Sequence, residues 1–520
     1  LVYAAAGAFW LCAIAVAQAA EKLHFDLNEI RVEGSTVLPQ EQVEEAVYPF
    51  VGPDKTADDV EHARAALEAL YQNSGFATVS VIIPPQHVSQ SGGVVELLVI
   101  ERPVERLRVS GSRYFLPSAI RAGAPSLAPG TVPNMNAVTR DLTTLNGLAD
   151  RQVQPALHAG RLPNTVDVDL DVTDTFPLHG SLELNNRYNA DTTPLRLSAS
   201  LSYDNFFQRG DSGSLSYQVA PENVRDAEVE SASYLFHIPD SRLSLLLSYL
   251  HSNSNVTALG TTDVAGRGTS AGFRVLIPLG GTTGFSHSFS IGWDYKRYYE
   301  LDTFVTTKQV TSAPITYYPL NATYAADWSG SRSTTDLTLS LEFGLPEFGS
   351  SHAQFDNKAY GAPPGFSIFR ANLTRQQDLP YGAQLWGSFS GQITNDVLVS
   401  SEQIGAGGAD SVRGYLEAET LGDYGFTAQT EARSPSLAKY LGGPLKSWRF
   451  HLFYDAGMVA LTDAQVNQRS QYGLQSAGIG SRVNLWGYLN GVLQDAQTLN
   501  RGPDTKPGTN RVLFRVYGEF

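Results

Sequence analysis

Two charged residues have settings that suit them to hold each other. Arg413 lies in Val412-Arg413-Gly414-Tyr415, inside a Gly-rich connection from Gly405 to Glu419, and Asp455 lies in Phe453-Tyr454-Asp455-Ala456-Gly457. A guanidinium and a carboxylate make a bidentate, charge-assisted pair rather than a proton-transfer couple, because arginine does not deprotonate in proteins. Before Asp455, Trp448, Phe450, Leu452 and Tyr454 share one parity, while Arg449, His451, Phe453 and Asp455 share the other. If the first row meets lipid, Asp455 faces a lumen, where a desolvated carboxylate needs a partner or water. An inward-folded loop would bring Arg413 to it, with Gly414 allowing a tight turn and Tyr415 wedged against the wall. Glu431 has the same inward parity and competes for Arg413. A solvated loop arginine beside a wet pore is the plain alternative. Gly478 and Gly480 share the parity of Arg482, and on a lumen face they would leave room for the loop.

Other chemistry finds little footing. Gly268-Thr-Ser270-Ala-Gly272 fits the G-x-S-x-G pattern of hydrolases, yet it enters an alternating strand instead of the strand–turn–helix that pattern requires. Gly405-Ala-Gly-Gly408 lacks the Lys-Ser/Thr of a phosphate-binding loop. The ten histidines show no ligand spacing, so no metal, cofactor or enzymatic reaction is expected. A net charge of −15 argues against nucleic acid.

The elements that would position Arg413 and Asp455 begin after Phe176, where dyad alternation takes over. Leu195, Leu197, Ala199, Leu201 and Tyr203 interleave with Arg196, Ser198, Ser200, Ser202 and Asp204. Leu337, Leu339, Leu341 and Phe343 interleave with Asp336, Thr338, Ser340 and Glu342. Roughly sixteen such segments are legible, the apolar-out, polar-in pattern of a transmembrane barrel. A soluble sandwich also alternates, but its strands are usually shorter. The ending Val512, Phe514, Val516, Gly518, Phe520 on one parity favours the barrel. A membrane protein without long apolar helical runs has to be a closed barrel, since every backbone polar group in lipid needs a partner.

Before Phe176 the pattern is helical and repeats once. The first copy has a strand around Ile30 and Val32, a helix over Glu41 to Tyr48, and a second helix from a Thr56-x-x-Asp59 capping box to Gly75. Strands over Thr78 to Ile83 and Val94 to Ile100 complete it. The second copy runs Arg106 to Val109, a helix near Pro117, a helix over Asn134 to Leu148, then strands Val153 to Leu157 and Thr165 to Thr173. Each is a β-α-α-β-β unit. Ala4 to Ala17 is apolar and ends in Ala17-Gln18-Ala19-Ala20, which reads as a secretory leader over 1–20, with an N-terminal anchor helix as the alternative. Cys12, the sole cysteine, lies within it, so the exported chain is expected to carry no disulfide.

These residues resemble the outer-membrane transporters of two-partner secretion, the haemolysin secretion/activation type. The likeness is carried by Ile30-Arg-Val-Glu-Gly34, Ile83-Pro-Pro-Gln86 and Gly93-Val-Val-Glu-Leu97, which look like the family's first POTRA domain, and by Tyr203-Asp-Asn205-Phe-Phe-Gln-Arg-Gly210-Asp211, like its early barrel hairpin. Val412-Arg413-Gly414-Tyr415 and Phe453-x-Asp455-x-Gly457 resemble two signature motifs shared with the wider barrel-assembly superfamily. The resemblance implies a chain with a leader over 1–20, POTRA domains over 24–101 and 102–176, and a barrel over 177–520. It also implies a loop tip locked to the inner wall and needed for transport. The implied partners are a secreted exoprotein with an N-terminal secretion domain, outer-membrane lipid and the barrel-assembly machinery, with the transporter itself monomeric. An assembly factor of the same superfamily is the first alternative, a passive porin the second. Ile83, Pro84, Pro85 and Gln86 are candidate client-binding residues at a strand end, with an ordinary turn as the other reading. The family's plug helix has no counterpart between the expected leader and the first strand, through absence or truncation.

Overall fold

The computed structural model describes residues 24–520 except 88–91, 191, 240, 255, 260, 261, 266, 300, 304–309, 313 and 467. The leader expected over 1–20, with Cys12, lies outside the described residues. The chain forms two compact units, one ending at Phe176 and the other spanning Pro177–Phe520.

The first unit holds two small sheets of the same design. In one, Val94–Ile100 is central, parallel to Glu29–Glu33 and antiparallel to Ser80–Ile82. Helices Gln40–Val47 and Ala57–Asn73 place Val43, Val47, Val60, Leu67 and Tyr71 over Val95, Leu97 and Val99 to form its core. The capping box is made: the Thr56 N–H and hydroxyl both donate to the Asp59 carboxylate at 2.8 Å. In the other sheet Val166–Asp174 is central, between Val104–Ser110 and Arg151–Ala159, under helices Pro117–Ala122 and Met135–Leu145. A ladder between Phe25–Leu27 and Gly52–Lys55 was not expected, because Gly52-Pro53-Asp54 carries no alternation.

The two repeats are joined where one helix ends and another starts. Asn134 accepts from the amides of Asn136 and Ala137, capping Met135–Leu145. Its amide also donates to the Ser74 carbonyl at 2.9 Å, and the Met135 amide donates to the Gly75 carbonyl at 2.8 Å. Unsatisfied C-terminal carbonyls of one helix thus take N-terminal donors of the next.

The second unit is a closed antiparallel barrel of sixteen strands, from Leu178–Asn185 to Asn510–Glu519. The eighth strand is interrupted: Ile315–Tyr317 and Leu320–Ser329 both pair with Phe285–Tyr299, separated by Tyr318-Pro319, where proline has no amide to give the ladder. Closure excludes the sandwich. No helix among the described residues is long and apolar enough to cross a membrane. Outward rows carry the apolar set, with Leu247, Tyr249, Leu341, Phe343, Phe450 and Leu452 all exposed on the isolated chain.

The barrel closes by pairing its last strand with its first, from Glu519↔Ser181 to Arg515↔Asn185. The last main-chain bond of this seam is a long one, from the Asn186 amide to the Phe514 carbonyl at 3.4 Å. The Asn186 side chain continues the pairing, donating to the Val512 carbonyl at 2.8 Å and accepting from the Phe514 amide at 2.8 Å.

Candidate functional site: an arm locked in the barrel lumen

The connection between strands Gln384–Ile393 and Tyr424–Arg433 folds back inside the barrel. Its limbs pair as a short ladder, Ile404–Ala406 with Thr420–Gly422, so it is an arm with its own backbone hydrogen bonds rather than a loose loop. Gly407, Gly408 and Gly414 have φ of +110°, +109° and +92°, in the left-handed region that glycine enters at little cost.

Arg413 lies at the tip and is 1% exposed, which excludes the solvated-arginine alternative. Its Nε and Nη2 donate to the two carboxylate oxygens of Asp455, each at 2.7 Å, and its backbone amide donates to Asp455 Oδ2 at 3.0 Å. Nη1 donates to Glu431 Oε1 at 2.6 Å. The choice between Asp455 and Glu431 is therefore resolved in favour of both, each facing the lumen as parity required. The guanidinium also stacks 3.7 Å above the Phe453 ring centroid. Glu431 in turn accepts from Arg433 at 2.8 Å and Arg482 at 2.9 Å. Buried carboxylates facing several cations avoid the cost of an unpaired charge.

The neighbouring motif residues seat the tip. Val412 is fully buried with Ala406, Tyr415, Val459 and Leu474. A Cβ on Gly457 would lie 3.0 Å from Val412 Cγ2, so glycine there allows close approach. Gly414 sits close to the wall, where its own Cβ would lie 3.1 Å from Thr498 and 3.4 Å from Ala496. The Tyr415 hydroxyl donates to the carbonyls of Asn500 at 2.7 Å and Gln475 at 3.0 Å, which is the wedge against the wall.

Gly478 and Gly480 require a correction. They stand opposite Phe453 and His451 in the strand register, and a Cβ on either would overlap the facing ring. The space they leave is filled by those rings, not by the arm. Their link to the lock is indirect, since Phe453 can lie flat under Arg413 only because Gly478 has no side chain.

The four client-binding candidates sit at the end of strand Ser80–Ile82. Continuing that strand's register would place Pro84 opposite Glu96, where proline offers no amide. The Gln86 side chain replaces the missing partner, accepting from the Glu96 amide and donating to the Glu96 carbonyl, both at 2.8 Å. Ile83 is exposed. This is the geometry of a strand terminator, and it closes this corner of the sheet. Ser270 lies within strand Arg267–Thr282, paired on both sides, with no turn or helix beside it.

Sequence reasoning missed the contacts around the tip. Arg187, just past the first strand, pairs with Asp410 and lies 3.5 Å from Glu417. Arg511 donates to the Tyr415 carbonyl at 2.8 Å. Glu419 accepts from the amides of Leu416 and Thr505, each at 2.9 Å. Of these residues only Arg511 lies in an alternating strand; Arg187, Asp410, Glu417 and Glu419 lie in connections, where strand parity gives no orientation.

Comparison with known proteins places this geometry. Residues 164–483 match the family described as haemolysin secretion/activation protein ShlB/FhaC/HecB, and residues 25–101 match the POTRA domain, ShlB-type. The heme/hemopexin transporter protein HuxB of Haemophilus influenzae (strain 86-028NP) is 22% identical over 452 residues, covering 85% of this chain and 77% of that protein. The outer membrane transporter CdiB of Dickeya dadantii (strain 3937) is 22% identical over 404 residues, covering 77% of this chain and 71% of that protein. The solved structure of CdiB from Escherichia coli superposes with a TM-score of 0.68 at 19% identity, covering 97% of this chain and 92% of that one. The chain belongs to the haemolysin secretion/activation (ShlB/FhaC/HecB) family of two-partner secretion transporters, with its barrel in the bacterial outer membrane and its POTRA region in the periplasm.

Proposed function

We propose that this chain carries one large partner protein across the outer membrane in unfolded form, without a catalytic step. In this reading, a leader over 1–20 is removed, POTRA domains over 24–101 and 102–176 take hold of the client, and the barrel over 177–520 conducts it. The client is an exoprotein with an N-terminal secretion domain, of the adhesin, haemolysin or contact-dependent toxin kind. The transporter works as a monomer after insertion by the barrel-assembly machinery. Strand addition at a sheet edge suits an unfolded client, because main-chain hydrogen bonds supply affinity with little demand on sequence. No nucleotide-binding motif is present in the sequence, and folding outside the cell would make export directional.

The observation that carries the proposal is the buried Arg413 guanidinium forked onto Asp455 and Glu431. Arg413→Ala and Asp455→Ala should each abolish appearance of the partner in the culture medium, while heat-modifiable mobility on gels shows the barrel still inserted. Arg413→Lys should not restore export, since a single ammonium cannot fork onto both oxygens of Asp455 while also reaching Glu431. Full export by both alanine variants would refute the lock.

A further inference from the structure

The arm is fastened at its base as well as at its tip. Glu402, on the turn Ser400–Glu402 just before the arm's ladder, is 2% exposed. Lys296 Nζ donates to its Oε1 at 2.7 Å, the Tyr317 hydroxyl donates to the same oxygen at 2.6 Å, and Arg370 Nη2 donates to Oε2 at 3.1 Å. Lys296 and Arg370 also hold Glu342, a residue of the barrel wall, Lys296 at 2.7 Å. Gln392 Nε2 donates to the carbonyls of Glu402 and Asp423, each at 2.9 Å. Asp423, where the second limb leaves the arm, accepts from the Leu398 amide at 3.0 Å and from Gln403 and Thr462 at 2.8 Å each.

Charge balance makes this contact informative. Apart from the arm, this sector of the wall carries two partly buried cations, Lys296 and Arg370, on the single carboxylate of Glu342. Glu402 completes a neutral set of four. Beside it, Leu398 and Val399 pack with Ile315, Tyr317, Phe355, Phe366 and Ile368. Glu402 itself is almost fully buried, and a carboxylate so placed needs cationic partners, which this sector of the wall supplies.

We propose that Glu402 is a positioning residue: it docks the base of the arm on the Lys296–Arg370 sector of the wall and so aims Arg413 at Asp455. This rests on the reading that a seated tip is needed for export. The base is held by strands Phe285–Tyr299, Ser333–Phe343 and Ser367–Asp378, the tip by Tyr424–Arg433 and Leu445–Ala460. The hydrogen-bonded limbs between them make the arm stiff enough for one attachment to orient the other.

The test uses the full-length protein in outer-membrane vesicles. A Leu398→Cys reporter in a Cys12→Ser background is followed with a membrane-impermeant maleimide, alongside export of the partner and heat-modifiability as the check on folding. Glu402→Gln and Lys296→Met should each speed labelling at position 398 by at least roughly tenfold, the factor that about 1.4 kcal/mol of lost anchoring represents. The double variant should gain little more than either single one, because both break the same contact. Tyr317→Phe, which removes only a hydroxyl, should give a smaller rise and serves if Glu402→Gln does not insert. Export should fall in Glu402→Gln, whereas Arg413→Ala should lose export with labelling at 398 unchanged. Labelling in Glu402→Gln and Tyr317→Phe at the parental rate would overturn the proposal. So would faster labelling in Glu402→Gln with export intact while Arg413→Ala is export-dead. If export survives in both, it is the lock that fails, and the base attachment stands as a contact without a role in aiming.

Discussion

At the scale of single residues, Arg413 is held by geometry that no other side chain reproduces: three charge-assisted side-chain bonds and an aromatic face. The face depends on Gly478. Phe453→Leu should remove the stacking and weaken the tip by about 0.5–2 kcal/mol. Reduced export with normal barrel insertion is the expected result, and export at the parental level would show that the stacking contributes nothing. Parity along Trp448 to Asp455 was enough to find Asp455, because a two-residue period is a local property. The joint hold by Asp455 and Glu431 was not readable, since it depends on how far an arm about thirty residues long reaches back into the barrel.

At the scale of elements, the periplasmic repeats are stitched through Asn134. Asn134→Ala removes a cap and the bond to Ser74 together and should cost about 1 kcal/mol or more, measured by thermal unfolding of a 24–176 fragment. Gln86→Ala should lower the stability of the same fragment by about 1–3 kcal/mol, because it leaves both polar groups of Glu96 without their partner. If client binding by the fragment survives that change once stability is allowed for, the Ile83–Gln86 corner is a terminator and the client joins elsewhere. Asp174 supplies a pH handle. Burial pushes its carboxyl up, but the amides of Tyr114, Arg113 and Phe115 and the Ser112 hydroxyl hold it below the ordinary value of 3.8. A carboxyl with a lower pKa folded than unfolded stabilises fully above its ordinary value, and that contribution is lost as pH falls through the lowered one. Between about pH 5 and pH 2, Asp174→Asn should therefore show a shallower loss of stability than the parent. Helices were legible here because the Thr56-x-x-Asp59 cap and Gly75 punctuate them. The strand expected to run on to Ile83 stops at Ile82, because Pro84 and Pro85 cannot pair, and the Phe25–Leu27 ladder carries no sequence signal of its own.

At the scale of the barrel as a whole, strand number and closure followed from alternation and a terminal aromatic, whereas the contents of the lumen did not. The arm packs through Val412 and Tyr415 against Val459 and Leu474, and its base packs through Leu398 and Val399 with Phe355. Alternation marks which residues point inward but says nothing about which loops follow them in. Closure of the cylinder has its own test. Asn186→Leu should leave the sixteen strands in place yet lower the temperature at which the folded band converts to the unfolded one on gels. An unchanged temperature would mean that the main-chain bonds from Gly180 to Asn186 suffice.

That asparagine adds a side-chain fastening to the seam between the first and last strands. Peptide hydrogen bonds tolerate most changes of side chain, proline excepted. Here the seam's upper end carries one extra fastening that does depend on the amino acid, so a single substitution can loosen that end without altering the fold of either strand it joins.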